Sequence, residues 1–91
     1  SNRHQRLWLM IVHLEHIDPA KNMYRYYQLY LSPSLFNDWI IKKDWGRIGQ
    51  KCRHNFREAL SFSSLSEAQS ALEKYIQAKT QHGYKIIETI A

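Results

Sequence analysis

Ninety-one residues, 44% apolar and including twelve aromatics, are enough for one domain with a modest core and argue against a disordered chain. The single cysteine, Cys52, excludes an internal disulfide and a thiolate metal cluster, which fits a reducing cytoplasm. The formal charge of +5 is local: Lys42, Lys43, Arg47, Lys51, Arg53 and Arg57 meet only Asp44 in one stretch, while seven basic and seven acidic residues balance elsewhere.

Residues 7–14 are rich in Leu, Ile, Val and Trp and read as a strand apolar on both faces. The apolar run 7–12 is too short to span a membrane, and no signal-peptide cleavage pattern follows it. Asp18-Pro19-Ala20-Lys21-Asn22 reads as a turn, with Pro19 presetting φ. Residues 24–31 read as a second strand, with Tyr24, Tyr26 and Tyr30 on one face and Tyr27, Leu29 and Leu31 on the other. Ser32-Pro33-Ser34 is expected to break it.

A third strand begins at Trp39. Trp39, Ile41, Lys43 and Trp45 share one side, and Ile40, Lys42 and Asp44 the other, so the strand turns polar as it nears Trp45. Gly46 and Gly49 bracket Arg47-Ile48 and predict a bend or bulge. Residues 53–62 return as a fourth strand with imperfect alternation.

Ser64 and Glu67 form a capping box, which opens a helix. Ala68, Ala71, Leu72, Tyr75, Ile76 and Lys79 recur at helical spacing, and Gly83 is a left-handed stop. Residues 84–90 are a last short strand or an apolar tail. The fold expected is α+β, a small twisted antiparallel β-sheet with one α-helix packed on it, as a single domain over 1–91 with its core at about 7–87.

No nucleophile elbow, P-loop, metalloprotease helix or dinucleotide fingerprint is present. His13 and His16, three apart on a strand, point to opposite faces and do not suit a shared metal. Cys52 between Lys51 and Arg53 has a setting that lowers a thiol pKa, but no base or oxyanion site accompanies it. The expectation is a chain that is not an enzyme, with no catalytic residue, cofactor or metal.

A basic segment on a neutral body is the footprint of a polyanion partner, or simply a solvated face. Trp45, Gly46 and Arg47 combine a flat aromatic plane, an unhindered backbone and a fork-shaped cation. The tryptophan suits a sugar or an unpaired base, and the arginine a phosphate. Equally, Trp45 is a core anchor, Gly46 a bulge and Arg47 an ion-pair partner.

Trp45-Gly46-Arg47-Ile48-Gly49 resembles the name-giving motif of the WGR domain, found in DNA-dependent poly(ADP-ribose) polymerases and in small bacterial proteins. Asn22-Met23-Tyr24-Arg25-Tyr26-Tyr27-Gln28-Leu29 is similar to the family's Asn-Lys-aromatic-Tyr strand ending in Gln-Leu. Phe62-Ser63-Ser64-Leu65-Ser66-Glu67-Ala68 resembles its helix start, and Lys79 with Gly83-Tyr84 its Lys-x-x-x-Gly-Tyr ending. These matches cover about residues 12 to 85 in order. The resemblance implies binding at DNA ends and breaks, with Trp45 packing on a terminal sugar, Arg47 holding DNA or a neighbouring domain, and Asn22 near the 5′ phosphate. Met23 stands where the family has Lys and Cys52 where it has Gly. Lys51, Arg53 and Arg57 are read, from charge alone, as supplying what Met23 does not.

The expected function is therefore a stand-alone, bacterial, cytoplasmic or nucleoid-associated module. It would bind DNA ends, nicks or junctions without base specificity, through Trp45, Gly46, Arg47, Asn22, Lys43, Lys51, Arg53 and Arg57. The rival is a protein-interaction module docking a partner domain through the same surface. RNA is a third option. No membrane or small-molecule partner is expected.

Overall fold

A computed structural model describes residues 10–49 and 56–90. Strand β1 (Met10–Asp18) alternates more cleanly than expected: Val12 and Leu14 are buried, while Ile11, His13 and Glu15 lie on the other face. The strand runs on to Asp18, and residues 7–9 lie outside the described residues. Pro19–Lys21 is one 3-10 turn, closed by Asn22 in the left-handed region at φ 53°, a conformation Asn tolerates better than most residues. Strand β2 (Met23–Pro33) pairs antiparallel with β1 along its length.

Ser32-Pro33-Ser34 does not break β2 where expected. Pro33 still pairs opposite Trp39, because at the end of a strand the missing N–H removes little from the ladder. The turn lies just beyond. The Ser34 N–H donates to the Asp38 carbonyl at 2.8 Å, and the Ser34 hydroxyl accepts from the Phe36 and Asp38 amides at 2.9 and 3.2 Å. Leu35 and Phe36 stand exposed on its tip.

Strand β3 (Trp39–Arg47) and strand β4 (Glu58–Phe62) extend the meander, and helix α1 (Leu65–Gln81) then carries the chain across to strand β5 (Lys85–Ile90). The sheet order is β4-β3-β2-β1-β5, antiparallel throughout. Thus the last strand pairs with the first, and the 84–90 segment is a strand rather than a tail. The fourth strand begins at Glu58, and Phe56 and Arg57 just before it are not strand; the rest of the 53–62 expectation falls on residues 50–55, which lie outside the described residues.

One face of the sheet carries Val12, Leu14, Tyr27, Leu29, Leu31 and Ile41, all buried, against Ala68 and Leu72 of α1. Fully burying an aliphatic side chain of this size stabilises by about 1.5–3 kcal/mol, so these few residues hold helix to sheet. The Ser64 hydroxyl accepts from the Glu67 amide at 3.1 Å, as the capping box requires. Its reciprocal half is absent, since the Glu67 carboxylate accepts from the Ser63 hydroxyl instead, at 2.8 Å.

The opposite face is polar and aromatic. The Tyr30 hydroxyl donates to Gln28 Oε1 at 2.6 Å, and the Gln28 amide lies 2.8 Å from His13 Nδ1. An amide nitrogen only donates, so Nδ1 accepts and the ring proton sits on Nε2, 2.9 Å from Glu15. His16 points to the helix side and packs edge-on against Tyr84, 5.2 Å between ring centres.

Candidate nucleic-acid interface

The end of the sheet formed by the start of β2 and the end of β3 holds the Trp-Gly-Arg residues. The ladder is unbroken here: Tyr27 faces Trp45, Tyr26 faces Gly46 and Arg25 faces Arg47. The bulge expected at Gly46 is therefore absent. Gly46 makes room instead, since a Cβ there would come within 3.3 Å of the Tyr26 ring on the face away from the helix. Tyr26 needs that place, because its hydroxyl donates to Asp44 Oδ2 at 2.9 Å. The chain turns only after Arg47. The Ile48 amide donates to the Tyr24 carbonyl at 2.8 Å, and Gly49 takes φ +94°, where its missing side chain is required.

Trp45 belongs to the helix face but lies beyond the helix, so it is 37% exposed while its partner Tyr27 is buried. Their rings stack at 5.9 Å and 22°. Tyr84, brought in by the turn after α1, meets Tyr27 edge-on at 6.2 Å. The Lys79 ammonium lies 4.5 Å from the Tyr27 ring centre and 5.4 Å from that of Tyr84. Burial first, then the charge of Glu58 and the neighbouring phenols Tyr75 and Tyr84, push the Tyr27 hydroxyl up to about 12, so the ring under Lys79 is a neutral phenol.

Three arginines surround this aromatic group. Arg47 donates from both terminal nitrogens to Asn22, to its carbonyl and its Oδ1, each at 3.3 Å, and its guanidinium lies 5.3 Å from the Tyr24 ring centre. Arg57 reaches in from just before β4: its Nε donates to the Trp45 carbonyl at 2.8 Å, and its guanidinium lies 5.5 Å from the Trp45 ring centre. Arg25 is exposed opposite Arg47. A cleft of about 250 Å³ opens between Arg25, Tyr26, Trp45, Gly46, Arg47 and Tyr84.

The structure thus brings Asn22, Trp45, Gly46, Arg47 and Arg57 together. It does not bring Lys43 to the surface. Lys43 is 8% exposed, with its ammonium 3.4 Å from Glu58 and 3.6 Å from the Tyr75 ring centre. The third strand is therefore not polar toward Trp45 in the sense expected, since Lys43 and Asp44 are both buried and partnered within the sheet. Lys51 and Arg53 lie outside the described residues. Sequence reasoning missed Arg25 and Tyr84 as cleft residues. Arg25 has the parity of Tyr27, but only the β2–β3 register shows that it sits opposite Arg47.

Among the described residues no cluster of His, Asp or Glu could hold a metal, and no helix is long and apolar enough to cross a membrane.

A five-stranded antiparallel sheet covered on one face by one helix, with arginines and aromatics gathered at one sheet end, defines a small α+β domain built around a cationic, aromatic cleft. The chain belongs to the WGR family, whose model, the WGR domain, matches residues 10–89. The WGR domain is a nucleic-acid-binding module without catalysis of its own. The uncharacterized protein y4dW of Sinorhizobium fredii is 31% identical over 74 residues, which are 81% of this chain and 35% of that protein. The chain therefore spans about a third of that relative's length. No solved structure matches it.

Proposed function

We propose that this chain binds DNA ends, nicks or junctions through backbone and sugar contacts, without base specificity. The observation that carries the reading is the cleft at the sheet end, where Arg25 and Arg47 face each other between Trp45 and Tyr84. Guanidinium groups meet phosphate oxygens in a fork, and phosphates are the same at every base pair, so contacts of this kind carry no sequence information. An indole rim beside them offers apolar surface to a sugar, which a strand interior hides and a terminus or nick exposes. Asn22 holds Arg47 in place from the left-handed turn, and Arg57 adds a third charge. Lys51 and Arg53 belong to the same proposal on charge alone, and Lys43 does not. Residues 1–91 then form one such domain, acting in the cytoplasm and, in a bacterium, at the nucleoid.

Trp45→Ala tests the reading. Against a nicked or blunt-ended duplex, affinity is expected to fall about tenfold, the worth of roughly 55 Å² of apolar indole surface packed on a sugar. Against closed circular duplex it should change little. Equal weakening on both DNAs would show that Trp45 does not read the terminus. Binding of a protein partner in place of DNA would favour the rival docking role.

A further inference from the structure

The Trp45 ring is flanked from both neighbouring strands. Tyr27 stacks on it from the β2 side at 5.9 Å. Arg57 covers it from the β4 side at 5.5 Å, tied down by its 2.8 Å bond to the carbonyl of the same tryptophan. A second bond places the backbone there, because the Arg57 amide donates to the Lys43 carbonyl at 2.9 Å. With Lys79 beyond Tyr27, the order is ammonium, phenol, indole, guanidinium. Since β3 lies between β2 and β4 in the sheet, Tyr27 and Arg57 reach the indole from different neighbouring segments.

An unpaired base stacks only on an open aromatic face. A sugar needs no such face and packs on a rim. We infer that Arg57 is a specificity-determining residue: by covering the indole face of Trp45 it withholds that face from unpaired bases and leaves the rim for a duplex terminus. Its bond to the Trp45 carbonyl keeps the cover in place, and the residue is exposed, so its charge stays within reach of a phosphate. This inference rests on the DNA reading above. It assigns to Arg57 a selection that its charge alone does not make, because a bare positive charge favours single and double strands alike.

The test compares a blunt duplex with the same duplex carrying a short single-stranded overhang, using the full chain, Arg57→Ala and Arg57→Lys. The unsubstituted chain should prefer the blunt end. In Arg57→Ala the ratio of overhang to blunt affinity should rise about tenfold, the worth of one stacked base, while both affinities drop for loss of charge. Lysine keeps the charge but lacks the planar fork that both covers the ring and bonds the carbonyl. Arg57→Lys should therefore raise the same ratio while retaining the salt dependence of the unsubstituted chain. An unchanged ratio in either variant, with fold intact by circular dichroism, overturns the inference and leaves the DNA reading standing. If the unsubstituted chain binds neither probe at low salt, the DNA reading itself fails, and the inference with it.

Discussion

Tyr27 links the core to the candidate interface: its ring is buried on the helix face, and Trp45, Tyr84 and Lys79 all rest on it. Its hydroxyl, raised from 10.0 to about 12, gives the contact a pH signature. A phenol whose folded value lies above its unfolded one stabilises fully below pH 10, and that stability is lost as pH rises through 12. Comparing unfolding free energies at pH 9 and pH 12, the unsubstituted chain should lose about 2 kcal/mol more than Tyr27→Phe. Equal losses would mean that Tyr27 titrates normally. At this scale the sequence showed the parity of Tyr27, Leu29 and Leu31 and the side on which Trp45 falls. It hid the difference between Lys42 and Lys43. Both are charged and adjacent, but Lys43 has core parity, and only Glu58 and Tyr75, distant in sequence, explain how its charge is tolerated there. For Arg57 the sequence disclosed a charge and not the indole beneath it.

The elements divide by how local their causes are. The helix was legible because its stripe, its Ser64 cap and its glycine stop are all local signals, and it runs from Leu65 to Gln81. The end of β2 and the start of β4 were not, because they depend on which strand lies alongside. Likewise Gly46 suggested a bulge, and the true reason for a glycine was the Tyr26 ring on the facing strand. Gly83 matters most among the glycines, since it aims the chain from α1 into Tyr84 and β5. It has φ +98°, and a Cβ there would fall 2.7 Å from the His16 ring. Gly83→Ala should destabilise by about 2 kcal/mol, from the left-handed backbone and the displaced imidazole together. Thermal or urea unfolding measures it. A loss below about 0.5 kcal/mol would mean that the turn relaxes freely.

Across the whole molecule, helix and interface share one sheet face but occupy different parts of it. The helix covers Val12, Leu14, Leu29 and Ile41, and the sheet end past it holds Trp45, Arg25 and Arg47. The antiparallel sheet with one helix was legible from strand lengths and the single helical stripe, whereas the strand order was not, because nothing local says that β5 returns to β1. If phosphate charge dominates binding at this end, salt must weaken it, which fluorescence anisotropy of a labelled nicked hairpin titrated with the unsubstituted chain at about 50 and about 200 mM salt measures. With about three phosphates neutralised by Arg25, Arg47 and Arg57, affinity should fall about 40-fold between the two conditions. No binding at the lower salt, or an affinity indifferent to salt, would show that this sheet end does not hold DNA by its phosphates.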